Sequence, residues 1–307
     1  MPDTSVTLCG LTLKNPVIAA SGTFGYGIEF ASIVDLDRLG GLVVKGLSRE
    51  PMEGNPAPRL YETASGMLNS VGLQNIGVRA FVAEKLPALE GRNTAVFANV
   101  FGYQVEDYVE VVRVLEDAPG LAGYELNVSC PNTSHGGMQF AADPGLLAEV
   151  VSAVRRVVRR RPLVVKLSPN VAEIGPLARA AEQSGADALS LVNTFVGLAI
   201  DARGRRPRLG AGFGGLSGPA IKPIALRMVY QAARSVRIPL IGLGGISTGE
   251  DVAEFLLAGA TAVEVGTATF WDPQAPVRIA GEFQKFLEQE RIASARELTG
   301  GLGMESS

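Results

Sequence analysis

The sequence predicts a parallel (β/α)8 barrel, and two observations support this prediction. Short apolar runs of strand length alternate with helix-length amphipathic stretches throughout the 307-residue chain, which is the pattern of a parallel sheet built from βα units. Eight such runs can be counted, the number of strands that closes this type of barrel. The chain is 47% hydrophobic and 19% charged, enough apolar sequence for a large core, and we expect residues 1–307 to form a single domain.

Each predicted strand is a short apolar run bounded by turn residues or by helix-like sequence. The predicted strands are Val17 to Ala20, Gly41 to Val44, Ala95 to Ala98, Gly123 to Leu126, Leu163 to Lys166, Ala188 to Val192, Leu240 to Leu243 and Ala262 to Val265. After the fourth strand, Asp143 and Pro144 have the pattern of a helix start, and the helical pattern runs to about Arg160. We interpret the arginines of this stretch as a solvated helix face rather than a nucleic-acid patch. They are Arg155, Arg156, Arg159, Arg160 and Arg161.

Composition argues against several classes of function. A net charge of -3 and a pI near 5.5 leave no basic field for nucleic acid or an anionic membrane. No apolar run approaches the roughly eighteen residues that span a bilayer, and no signal peptide precedes the two distant cysteines, so we expect a soluble, cytoplasmic protein without disulfides. One histidine, His135, and two cysteines without metal-ligand spacing predict neither a metal site nor a histidine-based triad.

Two connections are longer than ordinary loops, and long structured loops on barrels usually carry function. They are Leu47 to Val78, after the second strand, and Phe195 to Pro219, after the sixth. Within the second connection, apolar residues 198–200 and the stretch 206–208 flank a turn signal at Arg203 and Gly204. This arrangement predicts a small hairpin near the barrel mouth.

Polar residues or glycines follow every predicted strand, so they should meet at one face of the barrel and form a pocket. They are Ser21 and Gly22, Lys45 and Gly46, Asn99, Asn127 with Cys130, Lys166, Asn193 and Thr194, Gly244 and Gly245, and Gly266 and Thr267. Glycines after the last two strands allow a phosphate to approach the backbone, although simple turns explain them too. Ser247, Thr248 and Thr267 suit either helix capping or phosphate contacts.

The two strand-end lysines and one cysteine are the candidates for chemistry. Lys45 and Lys166 could each be a structural ion-pair partner, but together they suit an anionic flavin and a substrate carboxylate. Cys130 lies in a predicted loop with asparagine and proline neighbours, which favours a role as nucleophile or base. Cys9 has the pattern of a small buried hydrophobic residue.

Four motifs give the chain a resemblance to a known family. They occupy residues 15–25 (NPVIAASGTFG), 54–59 (GNPAPR), 66–75 (GMLNSVGLQN) and 127–132 (NVSCPN). In these motifs the chain resembles the class 1 dihydroorotate dehydrogenases, in which the catalytic base is a cysteine. The 66–75 motif is more similar to class 1B, whose partner subunit carries FAD and a [2Fe-2S] cluster and passes electrons to NAD, than to class 1A, which uses fumarate.

The resemblance implies a set of ligand contacts and an assembly. FMN would contact Ser21, Lys45, Gly46, Asn99, Asn127, Lys166, Val192, Gly218, Gly244, Gly245, Gly266 and Thr267. The substrate would contact Lys45, Asn69, Ser70, Val71, Gly72, Leu73, Asn127, Asn193 and Thr194. It further implies a homodimer of this chain joined to two electron-transfer subunits as a heterotetramer.

The implied reaction is oxidation of (S)-dihydroorotate to orotate in UMP biosynthesis, with a proton taken by Cys130 and a hydride taken by FMN. Two alternatives come from other classes of function. A flavin barrel that reduces uridine in tRNA would also use a loop cysteine, but the acidic balance disfavours it. A non-redox phosphate-binding barrel would explain the glycines but not the asparagine and cysteine motifs.

Overall fold

The computed structural model describes residues 1–129 and 140–303. Its strands are numbered in chain order, and they are β1 Val6–Leu8, β2 Leu11–Leu13, β3 Val17–Ala19, β4 Gly41–Leu47, β5 Leu60–Thr63, β6 Gly66–Asn69, β7 Ala95–Val100, β8 Gly123–Asn127, β9 Leu163–Lys166, β10 Ala188–Leu191, β11 Phe195–Leu198, β12 Ile200–Asp201, β13 Arg206–Pro207, β14 Phe213–Ser217, β15 Leu240–Leu243 and β16 Ala262–Val265.

Eight parallel strands close a barrel in the order β10-β15-β16-β3-β4-β7-β8-β9, and these are the eight strands that the sequence predicts. The predicted (β/α)8 barrel is therefore confirmed. Strands such as β15 and β16 are buried at every residue, because one face points into the barrel and the other packs under helices. The predicted boundaries differ from the observed ones by at most three residues.

Most barrel strands are followed by a helix. The α-helices are α1 Val78–Ala80, α2 Val105–Glu116, α3 Pro144–Arg155, α4 Gly175–Gln183, α5 Lys222–Ala233, α6 Gly249–Leu257, α7 Ala268–Trp271 and α8 Ala275–Gln289. Helix α1 continues as a π-helical turn and then a 3-10 turn, to Leu89. Two 3-10 turns, Ile28–Phe30 and Leu36–Arg38, occupy the connection between β3 and β4, and α8 packs against β3 instead.

Helix α3 begins as predicted and ends earlier than predicted. Asp143 caps it by accepting hydrogen bonds from the backbone N–H groups of Gly145 at 2.7 Å and Leu146 at 2.9 Å. The helix ends at Arg155 rather than near Arg160. The following residues leave the helix, and Arg161 donates to carbonyl groups at the carboxyl end of α2, including that of Leu115 at 3.1 Å.

The interpretation of the arginine cluster as a solvated face is wrong for two of its members. Arg155 forms an ion pair of 2.8 Å with Asp187. Arg161 satisfies carbonyl groups that a helix leaves without partners at its last turn, and it donates to the hydroxyl of Tyr124 at 2.8 Å. These side chains connect neighbouring βα units. Arg156, Arg159 and Arg160 are exposed.

The two long connections meet in one antiparallel sheet beside the barrel mouth. Its strand order is β11-β14-β6-β5, so the hairpin β5–β6 from the first connection pairs with β14 from the second. The predicted small hairpin is present, because β12 pairs with β13 antiparallel across the turn at Arg203 and Gly204. None of the helices in the described ranges is long and apolar enough to cross a membrane.

Candidate active site at the carboxyl ends of the barrel strands

The barrel brings the predicted strand-end residues to one face. Four of them lie inside the last residues of their strands rather than after them, because these strands extend further than predicted. These four are Lys45, Gly46, Asn99 and Asn127. The others stand at or just beyond strand ends, namely Ser21, Lys166, Val192, Asn193, Thr194, Gly244, Gly245, Gly266 and Thr267. Parallel strands in a closed barrel place all these positions around one opening.

The backbone at Lys45 and Gly46 departs from regular pairing. The register between β4 and β7 shifts between Val44 and Leu47, which is the signature of a bulge and often re-aims a side chain. A Cβ on Gly46 would lie 2.9 Å from Oδ1 of Asn99, so glycine allows the Asn99 side chain to lie this close to the backbone of β4.

Burial, and next the charge of Arg59, lower the pKa of Lys45. Lys45 is thus a partly desolvated cation at the mouth.

Lys166 lies at the end of β9, between two buried glutamates. Its Nζ is 3.3 Å from Oε1 of Glu125 and 2.8 Å from Oε2 of Glu264. Burial alone lowers the pKa of Lys166, but the two carboxyl groups outweigh burial and raise it. Lys166 therefore stays an ammonium ion held between the two carboxyl groups.

Sequence reasoning missed the partners of Lys166. Glu125 and Glu264 each lie inside an apolar strand, and Ser190 donates a hydrogen bond of 2.8 Å to Oε2 of Glu125. A carboxylate within an otherwise apolar strand is the signal that could have identified them, since charged residues are almost never fully buried unless paired.

Two predicted asparagines contact each other at the mouth. Nδ2 of Asn193 donates to Oδ1 of Asn127 over 3.3 Å, and the same oxygen accepts from the backbone N–H of Ser129 at 3.2 Å. The Asn193 side chain also accepts from the backbone N–H of Thr194 at 2.8 Å. These contacts fix both amide side chains beside the pocket.

The predicted substrate segment 69–73 is anchored by the motif that precedes it. The backbone N–H of Ser70 donates to the carbonyl oxygen of Arg59 at 2.8 Å, and the N–H of Asn55 donates to that of Val71 at 3.1 Å. Gly72 and Leu73 have positive φ, 76° and 57°. The two motifs therefore fold as one unit.

The same segment contacts the antiparallel sheet and leaves one hydroxyl available. Nδ2 of Asn69 donates to the carbonyl oxygen of Gly215 in β14 at 3.3 Å. The buried Oγ of Ser70 has no hydrogen-bond partner among the described residues. A buried hydroxyl of this kind is available to a ligand.

The glycines after the later strands approach one another closely. Gly218, Gly244 and Gly245 all have positive φ, and a Cβ on Gly245 would lie 2.8 Å from the carbonyl oxygen of Gly218. Protein atoms therefore fill the space beside Gly245, and glycine is required there by close packing. By contrast, a Cβ on Gly266 would meet nothing nearer than Ala20 at 3.6 Å, with Oγ1 of Thr23 at 3.9 Å.

Ser247 and Thr248 serve as capping residues. Their backbone N–H groups donate to Oδ2 of Asp251 at 2.7 and 2.9 Å, and Thr248 completes a capping box with Asp251 at the start of α6. The capping role that the sequence suggests is present at Thr248, and phosphate contact stays a prediction for both residues.

Of the two cysteines, the structure describes only Cys9. Cys130 lies outside the described residues. Cys9 is half-buried, its Sγ donates to the carbonyl oxygen of Asp187 at 3.2 Å, and burial, followed by the charge of Asp187, raises its pKa to about 12. Cys9 therefore remains a thiol at physiological pH.

The fold is a (β/α)8 barrel whose polar strand-end residues meet at the carboxyl ends of its strands, the usual place of catalysis in this architecture. The family model for dihydroorotate dehydrogenase matches residues 4–287. The chain belongs to the dihydroorotate dehydrogenase family, so the resemblance seen in its motifs is confirmed.

Relatives of two kinds match nearly the whole chain. A protein of Solibacter usitatus, provisionally named dihydroorotate dehydrogenase A (fumarate), is 75% identical over 98% of this chain and 99% of its own length. The dihydroorotate dehydrogenase B (NAD(+)) catalytic subunits of Citrifermentans bemidjiense and Geobacter sulfurreducens are 53% and 54% identical, over 98% of each chain.

Proposed function

We propose that this protein oxidises (S)-dihydroorotate to orotate in UMP biosynthesis, and that residues 1–307 act as one domain in doing so. The observation that carries the proposal is the meeting, at one barrel face, of Lys166, the Asn127–Asn193 pair and the anchored segment 69–73. Planar recognition of a pyrimidine needs amide donors and acceptors, and its carboxylate needs a cation. The family match supports the same reaction.

The proposed cofactor is FMN, and the pocket fits it on two grounds. A Cβ on Gly266 would meet nothing nearer than 3.6 Å, so a phosphate can approach the backbone there. The buried hydroxyl of Thr23, beside Gly266, has no partner among the described residues. FMN would be held by Ser21, Lys45, Gly46, Asn99, Asn127, Lys166, Val192, Gly218, Gly244, Gly245, Gly266 and Thr267.

The chemistry that FMN supplies is acceptance of a hydride from C6 of the substrate. The residues of the chain do the rest. We propose that Cys130 removes the proton from C5, so that one hydride and one proton leave and the C5–C6 double bond forms. Lys166 lies where its fixed charge can balance negative charge that develops on the ligand. We propose that Lys45 and segment 69–73 orient the substrate.

An anaerobic visible spectrum tests this function. Purified protein carrying flavin is mixed with dihydroorotate, beside the Cys130→Ala variant and the Cys9→Ala variant as a matched control. We expect the flavin band to bleach in the unmodified protein and in Cys9→Ala, and to bleach much more slowly in Cys130→Ala. A flavin that stays oxidised in all three proteins would contradict the proposal. It would favour a non-redox barrel or a barrel that reduces uridine.

For the electron acceptor, we propose NAD, reached through a partner subunit with FAD and a [2Fe-2S] cluster. The 66–75 motif and the NAD-linked relatives support it. Fumarate is the second candidate, favoured by the 75% identical relative. Rapid mixing of the reduced protein with fumarate, in the absence of any other subunit, separates the two. Reoxidation at a catalytic rate would favour fumarate, and a stable reduced flavin would favour the partner.

We also propose that the chain forms a homodimer, to which the partner subunits would attach as a heterotetramer. The antiparallel sheet beside the mouth exposes large apolar side chains, which are Leu60, Val196, Leu198 and Phe213. Exposed apolar side chains gathered on one sheet are typical of a protein interface.

A further inference from the structure

Three buried ionisable side chains lie in mutual contact around the end of β9. Glu125, Lys166 and Glu264 are 1%, 4% and 1% exposed. If all three were ionised, two negative charges would surround one positive charge, and burying an unbalanced charge is strongly unfavourable. The hydrogen bonds around each carboxyl group indicate which of them is neutral.

Glu125 has the surroundings of an ionised carboxylate. Its Oε1 accepts from Nδ2 of Asn99 at 2.6 Å, its Oε2 accepts from the hydroxyl of Ser190 at 2.8 Å, and both oxygens face Nζ of Lys166. A proton on Oε1 would point at the N–H donor of Asn99. These contacts outweigh burial, and the pKa of Glu125 is lowered.

Glu264 has the opposite surroundings. Its Oε2 accepts from Nζ of Lys166 at 2.8 Å, but its Oε1 is buried and has no hydrogen-bond donor among the described residues. Burial, and next the charge of Glu125, raise the pKa of Glu264 well above its usual value, and Lys166 only partly offsets them. In the described part of the chain, Glu125 and Lys166 are the charged groups that act on Glu264.

We propose that Glu264 is a carboxylic acid at neutral pH and donates a hydrogen bond to ionised Glu125, so that the two side chains hold one proton between them beneath Lys166. The cluster then has no net charge, because one carboxylate rather than two balances the ammonium ion of Lys166. Where it concerns the ligand, this inference rests on the proposed function. A doubly ionised pair would repel negative charge developing above Lys166, whereas the singly ionised pair leaves the ammonium ion able to attract it.

The pH dependence of unfolding tests the proton directly, without flavin or substrate. Glu264→Gln replaces the acid by an amide of the same shape that does not titrate. An unfolded glutamate loses its proton near about pH 4.3, while folded Glu264 keeps it, so the unmodified protein loses stability as pH rises above that value. We expect its unfolding constant to rise about tenfold per pH unit relative to Glu264→Gln between about pH 5 and about pH 7.

The control for this experiment is Glu288→Gln, at an exposed position, for which the ratio of unfolding constants should not change with pH. A ratio for Glu264→Gln that is equally flat would overturn the proposal. Infrared spectroscopy of the same proteins in D2O near neutral pH gives a second readout. We expect the carbonyl stretch of a protonated carboxylic acid in the unmodified protein and its loss in Glu264→Gln. Absence of that band from the unmodified protein would also overturn the proposal.

The flavin potential counts the negative charges of the pair in the loaded protein. Glu264→Gln keeps a donor toward Glu125 and removes no charge, so we expect its potential to match that of the unmodified protein. Glu125→Gln removes the neighbouring charge that raises the pKa of Glu264, so Glu264 becomes the one carboxylate beside Lys166 and the potential should again match. Positive shifts in both variants would mean that both carboxyl groups are ionised in the unmodified protein, and would overturn the proposal. Failure of dihydroorotate to bleach the flavin would overturn the proposed function alone.

Discussion

Asn193 donates a hydrogen bond of 3.3 Å from its Nδ2 to Oδ1 of Asn127, and this contact joins the ends of two strands, β8 and β10, that are separated in the barrel by β9. Because Oδ1 of Asn127 also accepts a hydrogen bond from the backbone N–H of Ser129, one side-chain oxygen holds both Asn193 and Ser129 in place.

Removing that oxygen should impair catalysis and cofactor retention together. In Asn127→Ala, two donors lose their acceptor, and we expect kcat/KM for dihydroorotate to fall about 10- to 100-fold, with a lower ratio of flavin to protein. Steady-state kinetics and the visible spectrum measure both. Asn93→Ala, at an exposed asparagine far from the mouth, is the control. Normal turnover and a full complement of flavin in Asn127→Ala would mean that Asn127 has only a structural role in the turn.

Replacing Lys166 should cost both stability and flavin. Lys166→Met leaves Glu125 and Glu264 buried without their cation, and breaking a buried ion pair costs about 3–5 kcal/mol. Urea denaturation near neutral pH measures the free energy of unfolding. Lys285→Met, at an exposed position, should change it by less than about 0.5 kcal/mol. If the two variants lost the same small amount, the buried cluster would contribute nothing to stability.

Two glycines with the same backbone conformation allow the cost of backbone strain to be measured separately from the cost of a steric clash. Gly72 and Gly91 both have φ of 76°, but a Cβ on Gly72 would lie 2.4 Å from the backbone nitrogen of Asn55, whereas a Cβ on Gly91 would meet nothing within 4 Å. Alanine at either position costs about 1–2 kcal/mol of backbone strain. At Gly72 we expect a further loss of about 1–3 kcal/mol.

The functional consequence of Gly72→Ala should also be specific. The substitution displaces the segment 69–73, so we expect a raised KM for dihydroorotate, while Gly91→Ala keeps the KM of the unmodified protein. Thermal unfolding and steady-state kinetics provide the two measurements. An unchanged KM in Gly72→Ala would remove this segment from the substrate site.

Activity should depend on the ionisation of one thiol only. A free thiol has a pKa of about 8.5, so kcat/KM should rise with pH as Cys130 becomes a thiolate. Cys9 has a pKa raised to about 12, and it should neither contribute to this profile nor react with iodoacetamide at about pH 8, where a raised pKa leaves little thiolate. Cys9→Ala should keep the whole profile. A flat profile would rule out Cys130 as the titrating base.

The exposed apolar sheet should determine the oligomeric state. Phe213 is 63% exposed and Val196 59% exposed, and a charge at either position would oppose burial in an interface. We expect Phe213→Asp to sediment as a monomer at concentrations where the unmodified protein is a dimer. Leu302→Asp, at an exposed position of the carboxyl-terminal segment, is the control. A dimer that survives Phe213→Asp would place the interface elsewhere.

The sequence by itself was sufficient for the barrel and for the family. Apolar runs of strand length, alternating with helical patterns, identify all eight barrel strands, because each must be buried on both faces. Since parallel strands end at one face, the residues at their ends, such as Lys45 and Asn193, could be assigned to one pocket before any coordinates were known. The motif around Asn127 carries the family resemblance in the same way.

Only the tertiary structure decided which of these residues touch and what charge they carry. Glu125 and Glu264 lie 139 positions apart by their numbers, and nothing local in either strand indicates that both contact Lys166. The pairing of β6 with β14 likewise depends on two loops distant in sequence. Hydrophobic periodicity is a local property of the chain, whereas a pKa depends on burial and on neighbouring charges, which exist only after the barrel has closed.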